Sequence, residues 1–303
     1  MVTAHPTPDY PISPRRNYGS WFIVAVAVLI VALLVLMLVR NTAFAWDAVL
    51  HYLFHPLILS GLAVTLQLTV VVLVCALVLA TLVAMLRLSS SRVLQAIGRT
   101  YVWFFRGVPA LIQLIFWYNI GMVVPVVSLT LPGVGTLFSI NTNDVISPFI
   151  AAVIALSLCE AGYLAEIIRA GIKSVPSGQV EAARALGMSR GRTLRRIVVP
   201  QAMPFIIPPT GNEAISLLKM TSLVAYIAVD DLFYTAQSIY SRTFETIPLL
   251  VVVAVWYLVA VTILTIGQGY LERYYGRMDD PLPAGMAYRV WRVALAARHR
   301  SSK

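Results

Sequence analysis

Two long stretches of this sequence contain no charged residue. One covers residues 57–86 and the other covers residues 107–143. A helix needs about 20 apolar residues to cross the hydrocarbon core of a bilayer, which is about 30 Å thick. Both stretches are long enough, and 59% of all residues are hydrophobic against 12% that are charged. The sequence therefore predicts an integral membrane protein with several spans.

Further apolar runs, separated by short polar segments, extend this pattern over most of the chain. They predict an all-α polytopic membrane protein with six transmembrane helices. The predicted spans are residues 21–39, 57–86, 107–127, 146–172, 197–229 and 247–271. Pro132 and Gly133 predict an outer loop after the third span, because both residue types favour turns. Residues 230–246 are predicted to form an acidic loop.

The first apolar run has two interpretations. As a span, it would follow the polar, proline-rich tail of residues 1–20. As a cleaved signal peptide, it would be removed near Ala43-Phe44-Ala45, which resembles a cleavage site. Its 19 apolar residues exceed the roughly 7–15 residues of a signal-peptide core, so we favour a span.

Basic residues are distributed unevenly between the predicted loops. Of the 23 lysines and arginines, 19 fall in residues 1–20, 87–106 and 173–196 and from Arg273 onward, whereas Arg40 and Arg242 lie on the opposite side. Loops rich in lysine and arginine stay in the cytoplasm, so both termini are predicted to be cytoplasmic. This topology accounts for the net charge of +10 without nucleic acid as a partner.

The segment between the fourth and fifth predicted spans contains small residues at an ordered spacing. Glu181-Ala182-Ala183 is followed after three residues by Gly187, and nine residues later by Ile197-Val198-Val199-Pro200. This spacing resembles the EAA signature of ABC importer permeases, although that pattern has leucine where Val199 stands. Small residues let helices approach closely, and glycine lets the chain turn. The resemblance implies that the ATPase-coupling residues are Glu181, Ala182, Ala183 and Gly187.

Further blocks resemble one branch of these permeases, the polar amino acid uptake family for histidine, glutamate, glutamine, arginine and opines. Lys219-Met220-Thr221-Ser222-Leu223 resembles the Lys-x-Thr-Ser-Leu block of that branch. The other blocks lie at residues 61–68, 101–113, 163–172, 176–179 and 200–202.

The resemblance covers residues 57–273 and divides the chain into three parts. Residues 1–56 would comprise a cytoplasmic tail, an extra first span and an outer interfacial segment. Residues 57–273 would form a permease core of five spans with a coupling loop at 173–200. Residues 274–303 would be a basic cytoplasmic tail.

The resemblance also implies what the chain does. It would be a multi-pass permease subunit in the bacterial plasma membrane, not an enzyme, and would import a polar amino acid. The implied partners are a cytoplasmic ABC ATPase subunit, a second identical or related permease subunit, an extracytoplasmic solute-binding protein and membrane lipid. The sequence has no G-x-x-x-x-G-K-[ST] loop, so ATP would be bound by the partner ATPase and no cofactor by this chain. Two cysteines and four histidines without ligand spacing predict no metal site.

Two charged residues lie deep inside predicted spans, where a charge costs about 2.5–3.5 kcal/mol to insert. Lys219 could pair with Glu213 or with a backbone carbonyl, or it could contact the transport pathway or a partner subunit. Glu160 could face a cationic substrate or could be paired within the bundle. With Thr221 and Ser222, these two residues form the possible substrate pathway.

Glu166 and Arg169 lie three residues apart in the fourth predicted span. This spacing places them on one face of a helix, where they are expected to pair.

A self-sufficient, ion-coupled secondary transporter is the main alternative function. Such a transporter should contain inverted repeats and intramembrane coupling carboxylates. The sequence shows no internal repeat. A membrane-embedded enzyme is the third possibility, but no cluster of catalytic residue types lies at a membrane boundary. An ABC importer permease is therefore the favoured function.

Overall fold

The computed structural model describes residues 18–131 and 135–276, and this part of the chain is mainly helical. Residues 1–17 and 277–303 contain most of both predicted tails, and they lie outside the described residues. The helices in chain order are α1 (Tyr18–Arg40), α2 (Trp46–Leu53), α3 (Pro56–Leu88), α4 (Arg92–Gly107), α5 (Ala110–Tyr118), α6 (Ile120–Val123), α7 (Thr142–Val145), α8 (Pro148–Ser174), α9 (Ser177–Ala185), α10 (Arg190–Thr193), α11 (Val199–Met220), α12 (Leu232–Thr243) and α13 (Thr246–Gly276). A 3₁₀ turn (Thr42–Phe44), a π-helical segment (Leu194–Val198) and a 3₁₀ segment (Thr221–Ile227) connect some of them. Strands β1 (Val126–Leu131) and β2 (Gly135–Asn141) lie between α6 and α7.

Three helices of the described chain, α3, α8 and α13, are long and apolar enough to cross a membrane. They agree with predicted spans to within about five residues at each end. A fourth candidate is a pair of helical segments, Phe22–Met37 and Thr42–Leu53, which are bent by 61°. The mainly helical membrane fold is thus confirmed, whereas the predicted count of six spans is not.

The two other predicted spans do not form simple apolar helices. The third was expected at residues 107–127, but helical structure begins at Arg92 and is interrupted between α4 and α5 at Val108 and Pro109. Residues 87–106, expected to be a loop, are therefore mostly helical. The fifth corresponds to α11, which remains one helix despite three internal prolines and ends in the 3₁₀ segment. Both segments therefore differ from an ordinary hydrophobic span, because the third is broken and the fifth contains prolines and charged residues.

The outer segment predicted as a loop contains two paired strands, β1 and β2, which form a β-hairpin, whereas Pro132 and Gly133 themselves lie outside the described residues. Val126 pairs with Asn141 at the open end of this hairpin, and the register shifts between Leu129 and Thr130. Small and apolar residues alternate in both strands, and this pattern favours strand pairing. The nearby prolines and glycines favoured a loop prediction instead. The hairpin marks one end of the bundle, which we call the hairpin end. The opposite end, at α9 and α10, is called the loop end.

The predicted acidic loop at residues 230–246 is mostly a helix, α12. Asp231 caps this helix, because its side chain accepts a hydrogen bond from the backbone N–H of Tyr234 at 2.8 Å. Asp231 is fully buried, and the hydroxyl of Tyr257 on α13 donates to its second oxygen at 3.5 Å. The cap thus joins α12 to α13, and an acidic residue taken as a loop signal is a structural helix cap.

Helices α3 and α8 start in the same way. Pro56 and Pro148 occupy the first helical positions, where a missing backbone N–H costs nothing. The side chain of His55 accepts from the N–H of Leu57 at 3.3 Å. The hydroxyl of Ser147 accepts from the N–H of Ile150, also at 3.3 Å. These local signals set where both helices begin.

Small residues bring α3 and α8 close together. Ala76 and Ala80, one turn apart on α3, pack with Ala161 and Ala165 of α8 in one buried cluster. Lipid tails are as apolar as leucine, so close packing of small side chains, rather than hydrophobic exclusion, holds membrane helices together. This contact fixes the rotation of α8 and thereby directs Glu160 toward the interior.

Candidate functional site

Gly187 terminates the helix that the EAA-like segment forms. Helix α9 ends at Ala185, and Gly187 follows with φ of +73°. The N–H of Gly187 donates to the carbonyl of Arg184 at 2.9 Å, and the N–H of Met188 donates to that of Ala183 at 3.0 Å. This pair of bonds is a Schellman cap, which requires a left-handed residue at the glycine position. The turn expected at Gly187 is therefore present.

Helix α9 buries one face and exposes the other. Ala183 is buried, and Val180 packs against a cluster that contains Val198 and Ala202. Glu181 and Ala182 are exposed. The side chain of Leu186 is 83% exposed at the end of the helix. Of the four predicted coupling residues, Ala183 anchors the helix, whereas the other three lie on or beside an uncovered surface.

A pocket of about 380 Å³ lies in the middle of the bundle, where the break between α4 and α5 meets α8 and α11. Its lining residues are Arg106, Gly107, Val108, Pro109, Ala110, Cys159, Glu160, Tyr163, Glu213, Ser216 and Met220. Three of these are charged. The pocket is therefore small, contains both positive and negative charges, and lies beside the middle of α8.

Glu160 is the most buried charged residue of this pocket. Only 2% of its surface is exposed, and its Oε1 atom has no hydrogen-bond partner among the described residues. A buried polar atom without a partner costs about 1–3 kcal/mol, more for a charged group. The pairing within the bundle, considered from sequence, is thus absent for this oxygen, and Glu160 is one of the residues that line the pocket.

Arg106 brings a positive charge to the same pocket. Its guanidinium carbon lies 4.8 Å from the ring centroid of Tyr163, a distance suited to a cation–π contact. A Cβ atom on Gly162 would lie 3.1 Å from the Cγ of Arg106, so glycine provides the room for this side chain. Arg106 lies in a segment expected to be a loop and is not among the predicted pathway residues. The sequence signal that could have identified Arg106 is the run of 37 uncharged residues that follows it.

The break between α4 and α5 is supported by Gln113. Its side-chain amide donates to the carbonyls of Phe105 and Val108, at 3.0 and 2.9 Å. These carbonyls lie at the end of α4, where no further turn of helix supplies donors. The bonds keep the break open, and α5 begins at Ala110 beside the pocket. Broken helices of this kind occur at the binding sites of membrane transporters.

The other predicted pathway residues lie elsewhere. Lys219, Thr221 and Ser222 are not among the residues that line the pocket. The hydroxyl of Thr221 donates to the carbonyl of Leu218, and that of Ser222 donates to the carbonyl of Lys219. Lys219 is exposed and forms no ion pair with Glu213 within the described chain. Glu160 is therefore joined in the pocket by Glu213 and Arg106.

Glu166 holds two arginines near the loop end. Arg169 donates to its Oε2 atom from two nitrogens, at 2.9 and 2.7 Å, which confirms the predicted pair. Arg87 from α3 forms an ion pair with the other oxygen. One carboxylate thus connects α3 to α8, and both of its oxygens are occupied.

Residues 76–277 match the family described as binding-protein-dependent transport system inner membrane component. This chain belongs to that family. It is accordingly the membrane-spanning permease subunit of an ABC importer, and the prediction of a transport subunit rather than an enzyme is confirmed.

Similar proteins support the assignment of the permease. The arginine transport system permease protein ArgU of Corynebacterium glutamicum is 41% identical over 90% of this chain and 85% of its own length. The L-cystine transport system permease protein TcyB of Bacillus subtilis is 36% identical over 79% of this chain and 95% of its own. These relatives confirm the predicted resemblance to amino acid importer permeases.

Solved structures agree with the fold of the permease. A chain of an amino acid ABC transporter crystallised with histidines is 33% identical, with a TM-score of 0.63, over 73% of this chain and 95% of that one. A chain of the inward-facing MetNI methionine ABC transporter has a TM-score of 0.60 at 18% identity, over 72% and 96%. The second likeness concerns the fold alone.

Proposed function

We propose that this permease imports amino acids whose side chain is positively charged. The observation that supports this proposal is the buried carboxylate of Glu160. Its Oε1 atom has no hydrogen-bond partner among the described residues, and Glu213 lines the same pocket. Two carboxylates in a small, partly buried space favour a cation, since an opposite charge relieves both their mutual repulsion and their desolvation.

The pocket also offers groups for the other end of such a substrate. Arg106 can bind the α-carboxylate, and charge-assisted hydrogen bonds of this kind are about twice as strong as neutral ones. The first backbone N–H groups of α5, which begins at Ala110, carry a partial positive charge that adds to this attraction. An extended cationic amino acid would then span the pocket with its ammonium or guanidinium group at Glu160.

Comparison with relatives supports the substrate class without deciding it. ArgU is named for arginine, and the crystallised transporter is described with histidines. Other relatives, however, are named for cystine or for glutamate and aspartate. The charged groups of this chain's own pocket therefore carry the proposal.

We also assign the contacts with partner subunits to exposed surfaces of the permease. We assign the face of α9 with Glu181, Ala182, Leu186 and the adjoining Gly187 to the contact with an ATPase subunit, which would bind and hydrolyse ATP. Ala183 would anchor that face. Lys219, exposed on α11, would face the second permease subunit, where Thr221 and Ser222 support the local backbone. A solute-binding protein would deliver the substrate at the hairpin end, and motion of α9 would alternate access to the pocket.

A panel of amino acids tests the substrate class. The complex of permease, ATPase and solute-binding protein is reconstituted in liposomes, and ATP hydrolysis is measured with each amino acid. We expect arginine, lysine or protonated histidine to stimulate hydrolysis, and glutamine and glutamate to stimulate it far less. Stimulation by glutamate alone would contradict the cationic class but would leave the importer assignment intact.

The proposed orientation places the loop end in the cytoplasm, as the distribution of basic residues requires. Ser139 in the hairpin and Ser189 in the coupling loop are both exposed. Each is replaced with cysteine in a chain whose Cys75 and Cys159 are changed to alanine. In intact cells, an impermeant thiol reagent should label Ser139→Cys and not Ser189→Cys.

Permeabilised cells are the control, because both cysteines should then react. Labelling of Ser189→Cys in intact cells would reverse the orientation, and with it the assignment of α9 to a cytoplasmic ATPase.

A further inference from the structure

Two pockets adjoin each other at the loop end, and both are bordered by Leu88 and Ser89. The larger has a volume of about 690 Å³ and lies between the ends of α3 and α8, the helix α9 and the start of α11. The smaller measures about 370 Å³. We call them the apolar pocket and the cationic pocket, after the side chains that line them.

The apolar pocket is lined mainly by hydrocarbon side chains. These include Met85, Leu88, Ile168, Ile172, Leu194, Val198 and Ile206. Polar groups are fewer and come from Thr81, Ser89, Ser90, Thr193 and the arginines Arg184 and Arg190. Such a lining suits a hydrocarbon ligand with a polar or anionic end.

The cationic pocket has the opposite character. Four of its seven lining residues are basic, namely Arg87, Arg99, Arg169 and Lys173. Glu166 neutralises part of the charge of Arg87 and Arg169. Arg99 and Lys173 take part in no ion pair within the described residues, and Arg99 donates only to the side-chain oxygen of Gln95, at 2.7 Å. The pocket therefore retains an excess of positive charge.

Helix α8 separates the two pockets in a regular way. Ile168 and Ile172, four residues apart, line the apolar pocket, whereas Arg169 and Lys173, each one residue later, line the cationic pocket. Residues four apart share a helix face, so neighbouring faces of α8 present hydrocarbon to one side and charge to the other. This pairing of a chain-sized apolar space with a cationic space matches the two halves of a phospholipid.

We infer that the two pockets form a binding site for an anionic phospholipid of the inner leaflet. An acyl chain occupies the apolar pocket, and the phosphate lies against Arg99 and Lys173. Basic pockets between membrane helices on the cytoplasmic side bind anionic head groups, and the proposed orientation places this site at that side. The inference rests on the orientation and is independent of the substrate.

The site gives a lipid direct contact with the coupling helix. Val180 and Arg184 of α9 belong to the wall of the apolar pocket. A bound acyl chain therefore supports the inner face of α9, opposite the surface assigned to the ATPase. Anionic lipid is expected to favour the position of α9 in which coupling occurs.

An acidic surface of the ATPase is the competing occupant for the cationic pocket. The apolar pocket beside it favours lipid, since a protein surface would leave that hydrocarbon-lined space unfilled. The depth of the site agrees, because Arg99 and Arg169 lie within helices α4 and α8 and not in the loops.

Native mass spectrometry of the purified complex with its ATPase tests the site. Delipidated complex is mixed with phosphatidylglycerol and phosphatidylcholine, and the bound ratio is measured. Each basic residue near a membrane surface contributes about 1 kcal/mol toward anionic lipid, so Arg99→Gln with Lys173→Gln should lower the ratio about 30-fold. Arg195→Gln with Arg196→Gln is the matched control, because both residues are exposed at the loop end and line neither pocket.

The apolar half is tested separately with Thr81→Trp, which fills the pocket from α3. It should reduce retention of both lipids, whereas Thr262→Trp on the exposed surface of α13 should not. Size-exclusion chromatography checks that each variant remains folded.

Four results would overturn the inference. The first is an unchanged lipid ratio in the Arg99→Gln, Lys173→Gln variant, and the second is an equal loss in the control pair. The third is loss of the ATPase from the complex with unchanged lipid binding, which would assign the cationic pocket to the ATPase. Glycerol 1-phosphate should fail to displace phosphatidylglycerol, and displacement would indicate a site for free phosphate instead.

Discussion

Uptake is expected to fall sharply when Gly187 is replaced, although the permease should still fold and insert. The φ of +73° at this position costs a residue with a side chain about 1–2 kcal/mol. That cost lowers the ratio of molecules with the correct helix end to molecules without it about 5- to 30-fold. We expect Gly187→Ala to lower uptake by up to this factor. Gly187→Arg should lower it further, because it adds a bulky cation to the exposed coupling surface.

Gly191 provides the matched control, since it lies in the same loop with open space around it and without positive φ. Uptake in liposomes and substrate-stimulated ATP hydrolysis are measured for Gly187→Arg and Gly191→Arg at equal membrane abundance. Both activities should be lost together in the first variant and largely retained in the second. Equal activity of the two variants would remove the coupling role from this glycine.

Glu160→Gln should weaken transport of cationic amino acids far more than transport of neutral ones. The substitution retains the shape of the side chain but removes the charge that would meet the substrate. A hydrogen bond to a charged group contributes about 1.5–3 kcal/mol. The half-saturating concentration for arginine should therefore rise about 10- to 150-fold. Glu213→Gln should have a smaller effect, because Glu213 is less buried than Glu160.

Glu272→Gln is the control for loss of a carboxylate outside the pocket. Glu272 is exposed on α13 and accepts a hydrogen bond from Gln268 at 2.9 Å. Its replacement should leave the half-saturating concentration for arginine nearly unchanged. If Glu160→Gln raised this value equally for arginine and glutamine, Glu160 would have a structural role in the pocket and no role in recognising charge.

Local signals made much of this fold predictable. Uninterrupted hydrocarbon predicted α3 and α13, and a long apolar run with few charges predicted α8, because a long apolar helix has few alternatives in a membrane. The spacing around Gly187 predicted the end of α9, since the left-handed position of a Schellman cap favours glycine whatever surrounds it. Pairing of Glu166 with Arg169 followed from one turn of helix.

Other elements were mistaken because competing local signals were stronger. Pro132 and Gly133 indicated a loop and concealed the strands on either side of it. Asp231 contributed to the prediction of an acidic loop, although its burial and its bond to Tyr234 make it a helix cap. In both cases residue types that favour turns outweighed the sequence signals for a strand or a helix.

The sequence by itself thus determined the membrane class, the long helices, the coupling segment and the importer permease family. Each of these depends on residue type and on spacing within a single segment. Only the tertiary structure decided which charges meet. Arg106, Glu160 and Glu213 come from three helices, and the break supported by Gln113 brings the end of α4 against α8 and α11. Rotation of a helix about its axis is set by packing against its neighbours, so no pattern within one helix can show which of its charges faces a shared pocket.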